Sequence, residues 1–174
     1  MSEVLLVDTH DRPLGTMEKL EAHEKGLLHR AFSLFIVSDE AMLIQRRATA
    51  KYHSGGLWAN ACCSHPGRNA DVVDEAIRRA HEELGLDPAQ LEDRPVEVAS
   101  FVYRADLGSV FEYEYDHVLL ARASQAVQLT PDPEEVDRVA WVGFDELERR
   151  LLEVPDDFAP WFLTACPLVL AATR

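Results

Sequence analysis

Cysteine is scarce in this chain. It occurs 3 times in 174 residues, and Cys62 and Cys63 are adjacent, which is no basis for a disulfide framework. Such usage points to a reducing, cytoplasmic setting. Long apolar runs are missing too. Residues 31–37 are interrupted by Ser33 and residues 166–172 by Pro167, so neither approaches the roughly 20 residues of a bilayer span. The N-terminus has no basic segment followed by an apolar one, so no signal peptide is expected. Basic residues are few: 17 Lys and Arg against 31 Asp and Glu leave a net charge of −14. That balance excludes a broad nucleic-acid-binding face. It leaves room for a phosphorylated small molecule held by a local group of cations. With no repeat, low-complexity tract or interdomain linker, one domain spanning residues 1–174 is expected.

What is present alternates between strand and helix signals. Residues 3–7 and 14–17 flank the turn His10-Asp11-Arg12-Pro13 and read as a hairpin-like opening. Residues 19–26 are polar, and His23 and His29, six apart across Gly26, fit a loop better than one helical face. Residues 31–37 are too rich in aromatic and β-branched side chains for a loop and predict a central strand, with residues 42–47 as its antiparallel partner. Asp71 and Gly85 bracket a predicted helix whose buried stripe is Val73, Ala76, Ile77, Ala80 and Leu84, with Glu75, Arg79 and Glu83 on another face. Further strands are predicted over 96–103, 110–122 and 139–142, and helices over 144–152 and 158–172, the last perturbed by Pro160 and Pro167. Strands, one long helix, more strands and terminal helices make an α+β domain.

The chemistry centres on residues 58–66, Trp-Ala-Asn-Ala-Cys-Cys-Ser-His-Pro, which read as a short strand ending at Pro66. Side chains two apart on a strand share a face, so Cys63 and His65 project together. A thiol beside an imidazole is a metal-ligand pair, a nucleophile or acid beside a base, or a piece of core. Glu112, Glu114 and Asp116 fall at i, i+2, i+4 on one strand face. Adjacent like charges are costly unless a cation or water relieves them. With His23, His29 and His65, the glutamates Glu112 and Glu114 offer a mixed site suited by ligand type to Mn²⁺, Zn²⁺ or Mg²⁺. Lys19, Arg47, Lys51 and Arg79 flank the central stretch as candidate anion ligands. Glu83, on the face of Arg79, offers a carboxylate to a Mg²⁺ bound on a diphosphate.

These residues resemble the type I isopentenyl diphosphate isomerases, a branch of the Nudix fold. The resemblance covers nearly the whole chain. It rests on Glu18-Lys19 with His23, on residues 28–33 and 45–47 with Lys51, and on residues 58–66 and 78–85. Tyr103-Arg104, Glu112-Tyr113-Glu114 and Pro160-Trp161 complete it. The combination of Asn-x-x-Cys-x-His-Pro with a spaced Glu-x-Glu is specific, whereas the Arg-rich helix ending in Glu-Glu-Leu-Gly indicates only a Nudix-like chain.

The resemblance implies a mixed α/β/α sandwich with mixed β-sheets flanked by helices, and a double-bond shift between isopentenyl and dimethylallyl diphosphate in isoprenoid biosynthesis. It implies Cys63 and Glu114 as the acid/base pair, with Tyr103 and Trp161 as active-site aromatics. His23, His29, His65, Glu112 and Glu114 match its metal site, and Glu83 its substrate-linked Mg²⁺ ligand. Lys19, Arg47, Lys51, Ser64 and Arg79 match its diphosphate-binding positions. A small-molecule substrate and a monomer or weak homodimer are expected, with no nucleic-acid or membrane partner and no redox cofactor.

Two departures bear on the rival reading, a Nudix hydrolase of a diphosphate-containing substrate. Arg79 and Ala70 stand where that chemistry usually has carboxylates, and hydrolysis leaves Cys63 and His65 without a task. Cys62 and Cys166 are expected in the core, His81 and His117 in no chemical role, and residues 86–95 carry no readable motif.

Overall fold

A computed structural model describes residues 3–51 and 53–173. The opening hairpin is β1 (Glu3–Val7) and β2 (Pro13–Glu18), followed by α1 (Lys19–Lys25), β3 (His29–Val37) and β4 (Ala41–Arg47). Two short strands, β5 (Trp58–Ala59) and β6 (Cys62–Ser64), precede α2 (Val72–Leu84). Then come β7 (Val96–Asp106), β8 (Phe111–Arg122), β9 (Val136–Gly143), α3 (Phe144–Glu153) and α4 (Pro160–Thr173). The predicted α+β class, with helices flanking a mixed sheet, is borne out.

The 9-stranded sheet is organised around β3, which pairs with β1, β4, β6 and β8. Its pairing with β8 is parallel and runs from His29 opposite Glu114 to Val37 opposite Arg122. A strand covered on both faces reads as a nearly continuous apolar run. Phe35 and Val37 join Phe162, Ala165 and Val169 of α4 in one half of the core. Phe32, Leu34 and Ile36 join Ala76, Ala80 and Leu84 of α2 in the other. The sheet is therefore the middle layer between α2 on one face and α4 on the other.

Several predicted boundaries move. Residues 19–25 form a helix rather than a loop: the Glu18 side chain accepts from the Glu21 amide and Gly26 closes the helix at φ 60. A seven-residue helix carries too little periodicity for its apolar pattern to register. Residues 58–64 split into β5 and β6, because Asn60 turns inward and its Nδ2 donates to the Leu34 and Cys62 carbonyls at 3.1 and 2.6 Å. Strand β9 reaches back to Val136, and β7 runs on to Asp106. Pro160 starts α4 rather than perturbing it, while Pro167 lies inside it. Within α2, Val73 and Ile77 of the predicted stripe are only half-buried.

Asp71 caps α2 by accepting from the Val73 and Asp74 amides, both at 3.0 Å, and Gly85 ends it in the left-handed region at φ 63. The exit of α2 is fixed further by the segment before β9. The Thr130 amide donates to the Leu84 carbonyl at 2.8 Å and the Asp132 amide to the Glu83 carbonyl at 2.9 Å.

Candidate active site

Strand register assembles the centre of the site. His29 on β3 lies opposite Glu114 on β8, and Glu114 lies opposite Tyr103 on β7. Ser33, four residues along β3 from His29 and on the same face, lies opposite Cys63 on β6. A cavity opens over this face, lined by Lys19, Ala31, Ser33, Arg47, Lys51, His53, Cys63, Ser64, His65, Arg79, Glu83, Glu112, Glu114 and Trp161. Each cation and carboxylate assigned to the site from the sequence is on that wall, as are Cys63, Ser64, His65 and Trp161. Tyr103 sits behind it on the two glutamates, and His23 and His29 belong to the adjoining imidazole group.

Four side chains, His23, His29, His65 and Glu114, present one ligand atom each, all within 4.8 Å of one another. The backbone sets two of the tautomers. His23 Nδ1 lies 2.6 Å from the Lys19 carbonyl and His29 Nδ1 2.8 Å from the Leu27 carbonyl. A carbonyl only accepts, so both Nδ1 atoms carry the hydrogen and both Nε2 atoms keep their lone pairs. His29 Nε2 lies 3.2 Å from His65 Nε2, which is 2.8 Å from Glu114 Oε1. Nitrogen lone pairs aimed at one point beside a carboxylate fit a divalent cation, and backbone carbonyls holding the far side of the His23 and His29 rings are the expected support. Burial is the largest influence on His23 and lowers its pKa; it takes His65 down to about 3, so both imidazoles stay neutral and able to ligate.

Glu112 belongs to the site but not to that four-membered group. Its Oε1 faces His53 Nδ1 at 3.2 Å and its Oε2 lies 2.9 Å from Tyr103 Oη. Its alternation with Glu114 and the family resemblance both group it with the metal ligands. The carboxylate is turned toward His53, a residue that neither the alternation nor the resemblance singles out. The third member of the acidic row departs as well. Asp116 accepts from Ser33 Oγ at 2.8 Å, is buried at 1% exposure, and reaches no cation among the described residues. Burial, reinforced by the Glu114 charge, pushes Asp116 well above the usual carboxylate range.

Cys63 meets the cavity with its thiol 3.8 Å from Arg47 Nη1. Burial pushes that thiol up to about 12, against the lowering influence of Arg47. It is a held proton rather than a thiolate. Cys62 points to the opposite side, its thiol toward the Ala76 carbonyl in the core half under α2. Cys166 is buried in the half under α4. Both were expected as core residues. Trp161 is buried at 2% exposure and its Nε1 donates to Asn60 Oδ1 at 2.9 Å. Asn60 spends its remaining donors on backbone carbonyls, so the indole is locked by a residue with no chemistry of its own. The Arg47 guanidinium carbon lies 5.2 Å from the Trp161 ring centroid, within cation–π range.

The cations converge from three elements: Lys19 from α1, Arg47 and Lys51 from the end of β4 and the segment after it, and Arg79 from α2. Glu83 is 5% exposed, with Arg79 Nη2 2.5 Å from its Oε1 and Gln45 Nε2 3.4 Å from its Oε2. Burial raises the Glu83 pKa against the lowering effect of Arg79. Burial also lowers Lys19, with Glu114 and Cys63 acting in the opposite direction.

Three comparisons with known proteins bear on this arrangement. Residues 27–162 match the Nudix domain. The chain is 45% identical over 152 residues, 87% of its length and 84% of the relative's, to a protein of Cereibacter sphaeroides named isopentenyl-diphosphate Delta-isomerase. It is 43% identical over 166 residues, 94% of its length and 84% of the relative's, to isopentenyl-diphosphate Delta-isomerase 2 of Aromatoleum aromaticum. In structure it is similar to DR0079 of Deinococcus radiodurans, with a TM-score of 0.67 at 18% identity over 88% of this chain and 90% of that one. The Nudix hydrolase RenU of M. smegmatis gives a TM-score of 0.59 at 21% identity over 98% and 96%. At those identities the structural likeness shows the fold alone. The isomerase relatives, by contrast, match at 45% and 43% identity over most of both chains, so the chain belongs to the Nudix family and, within it, to the isopentenyl-diphosphate Delta-isomerases.

Proposed function

We propose that the chain interconverts isopentenyl and dimethylallyl diphosphate by moving protons on and off carbon, with Cys63 and Glu114 as the two exchanging groups. The observation that carries this is their common placement on one cavity wall, a held thiol and a buried carboxylate, together with Trp161 and the cations Lys19, Arg47, Lys51 and Arg79. In the forward direction, one group delivers a proton to the terminal methylene of the alkene, and the double-bond electron pair forms the new C–H bond. Positive charge then sits on the adjacent tertiary carbon. The second group removes a proton from the chain methylene on the diphosphate side, and that C–H pair becomes the new double bond. One proton enters and one leaves, so no redox cofactor is needed.

Each residue type suits its step. An alkene is a weak base, so the acid must be positioned and shielded from water. The tertiary cation accepts no hydrogen bond, but the face of Trp161 attracts it. Tyr103 holds the Glu114 carboxylate at 2.7 Å and keeps it aimed. Lys19, Arg47, Lys51, Ser64 and Arg79 would bind the diphosphate and fix the alkene by its tail.

His23, His29, His65 and Glu114 would hold a divalent ion, Mn²⁺, Zn²⁺ or Mg²⁺, with Glu112 completing the set after leaving His53. Glu83 would hold Mg²⁺ on the substrate diphosphate. Such an ion supplies charge that polarises the Glu114 carboxyl and eases its proton exchange. Hydrolysis is the less fitting chemistry, because Arg79 brings a cation into the cavity at the position where the hydrolase pattern has a carboxylate.

Incubation with isopentenyl diphosphate tests the reading. Dimethylallyl diphosphate should accumulate with the diphosphate intact, and release of inorganic phosphate in its place would assign the chain to hydrolysis.

A further inference from the structure

Two of the cavity's cations are already engaged by a carboxylate outside it. Glu135 Oε2 pairs with Lys51 Nζ, and Glu135 Oε1 lies 3.7 Å from Arg79 Nη2. Lys51 and Arg79 line the cavity, whereas Glu135 does not. The pairing is not a chance meeting of long surface side chains. The Ala48 amide donates to the Glu135 carbonyl at 2.9 Å, next to the end of β4 that carries Arg47. On the other side, Thr130 and Asp132 hold the same segment to the end of α2, and the Glu135 amide donates to the Asp132 carbonyl at 3.0 Å. The main chain of Glu135 is thus held by backbone bonds to both elements from which the cations extend, which places its carboxylate beside them. Side-chain exposures of 23%, 26% and 22% for Lys51, Glu135 and Arg79 leave the triad only partly screened by water.

Electrostatics gives this placement a consequence. Lys19, Arg47, Lys51 and Arg79 on one cavity repel one another while no anion is bound, and Glu135 relieves the pair nearest to it. The same charge opposes an incoming anion twice. It occupies donors of Lys51 and Arg79, and it repels phosphate oxygens directly. Arg79 keeps Glu82 and Glu83 as partners at 2.8 and 2.5 Å, so Lys51 is the cation whose partner must change.

We propose that Glu135 is a resident counter-ion of the diphosphate site, which the substrate displaces from Lys51 on binding and which raises the charge an anion needs in order to bind. The inference rests on the reading of Lys51 and Arg79 as diphosphate ligands. Its mark is an inverted mutational effect: removal of a partner of two binding residues strengthens binding rather than weakening it.

Calorimetric titration of the metal-loaded protein with inorganic pyrophosphate tests it, using wild type, Glu135→Gln, Glu135→Asp, Lys51→Met and the double variant Lys51→Met with Glu135→Gln. Glu135→Gln should bind roughly threefold more tightly or better than wild type, the scale of one or two partly exposed ion pairs. Glu135→Asp, which keeps the charge, should stay within about twofold of wild type. The gain from Glu135→Gln should shrink in the Lys51→Met background, since most of it acts through that lysine. Wild type that binds pyrophosphate beside a Glu135→Gln variant that binds it equally or less well would overturn the counter-ion role and leave the diphosphate site standing. Wild type that fails to bind pyrophosphate would overturn the site itself, and the counter-ion with it.

Discussion

Tyr103 Oη lies 2.7 Å from Glu114 Oε2 and 2.9 Å from Glu112 Oε2. A phenol has one hydrogen to donate, so it satisfies one carboxylate and accepts from the other, which must then carry a proton. Burial, with the Glu114 charge beside it, pushes Glu112 up to about 8. Burial acts on Glu114 in the same sense, but the His65 imidazole, whose Nε2 is 2.8 Å from its Oε1, outweighs it and holds that carboxyl well below the usual range. The pair therefore shares one negative charge, which resides on Glu114.

Loss of the phenol breaks this sharing. Tyr103→Phe should lower kcat by about tenfold to a hundredfold, the order expected when a proton-exchanging carboxylate loses its orienting donor. The fold should survive, since the ring remains to pack beside Phe101, 5.6 Å away between centroids. Turnover measured alongside thermal melting checks both parts, and unchanged kcat would remove Tyr103 from the mechanism.

The Cys63 thiol makes alkaline stability a test of its burial. Its folded pKa of about 12 stands above the ordinary thiol value of 9.0 expected when unfolded. A raised folded pKa means that the folded chain holds more protons than the unfolded chain at high pH. The stability linked to Cys63 is thus fully present below pH 9.0 and is lost as pH rises toward about 12. Wild type should lose stability across that window with a slope steeper than that of Cys63→Ala by up to about 1.4 kcal/mol per pH unit. Denaturant melts at several pH values measure the difference, and parallel curves would show that the thiol is not so held.

Metal removal should act on fold and turnover together. If His23, His29, His65 and Glu114 share an ion, chelation should abolish activity and lower the melting temperature, and added Mg²⁺ or Mn²⁺ should restore both. His65→Ala should lose bound metal by elemental analysis. Retention of a full equivalent in that variant would place the ion elsewhere.

Gly85 offers a test of how the end of α2 is held. A Cβ at this position would meet Thr130 Oγ1 at 2.0 Å and the Thr130 carbonyl oxygen at 2.7 Å, on a backbone with φ +63. Gly85→Ala should cost about 2–4 kcal/mol, combining left-handed strain with the clash. Because the same segment bonds the Glu83 carbonyl through Asp132, KM for the diphosphate substrate should rise as well. A melting curve and a KM equal to wild type would contradict this account of the junction.

The legible part of the molecule was the part with period or punctuation. The uniform apolar character of β3 announced a strand buried on both faces, and Asp71 and Gly85 bracketed α2 as capping chemistry requires. Among the site residues, Cys63, His65, Glu112 and Glu114 stood out through spacing, His23, His29, Glu83 and the four cations through residue type and placement, and Tyr103, Trp161 and Ser64 through family resemblance. What escaped depends on tertiary placement. His53 joins the cavity beside residues 54–57, which turn back onto the end of β4, and its imidazole lies 3.2 Å from Glu112. Asn60 locks Trp161 across 101 positions of sequence. Glu135 reaches Lys51 across 84, and no local pattern marks it among the acidic residues of its loop. Asp116 stood in the same acidic row as Glu112 and Glu114, yet its Ser33 partner lies across a parallel strand pair that periodicity does not reveal.

The central claim is that Cys63 and Glu114 exchange protons with carbon from one cavity. Proton NMR of isopentenyl diphosphate incubated in D₂O with wild type, Cys63→Ala and Glu114→Gln tests it most directly. Wild type should form dimethylallyl diphosphate with deuterium in a methyl group, and each variant should lose isomerisation by about a thousandfold or more while keeping its fold. Isomerisation by Cys63→Ala at a rate near that of wild type would contradict the account.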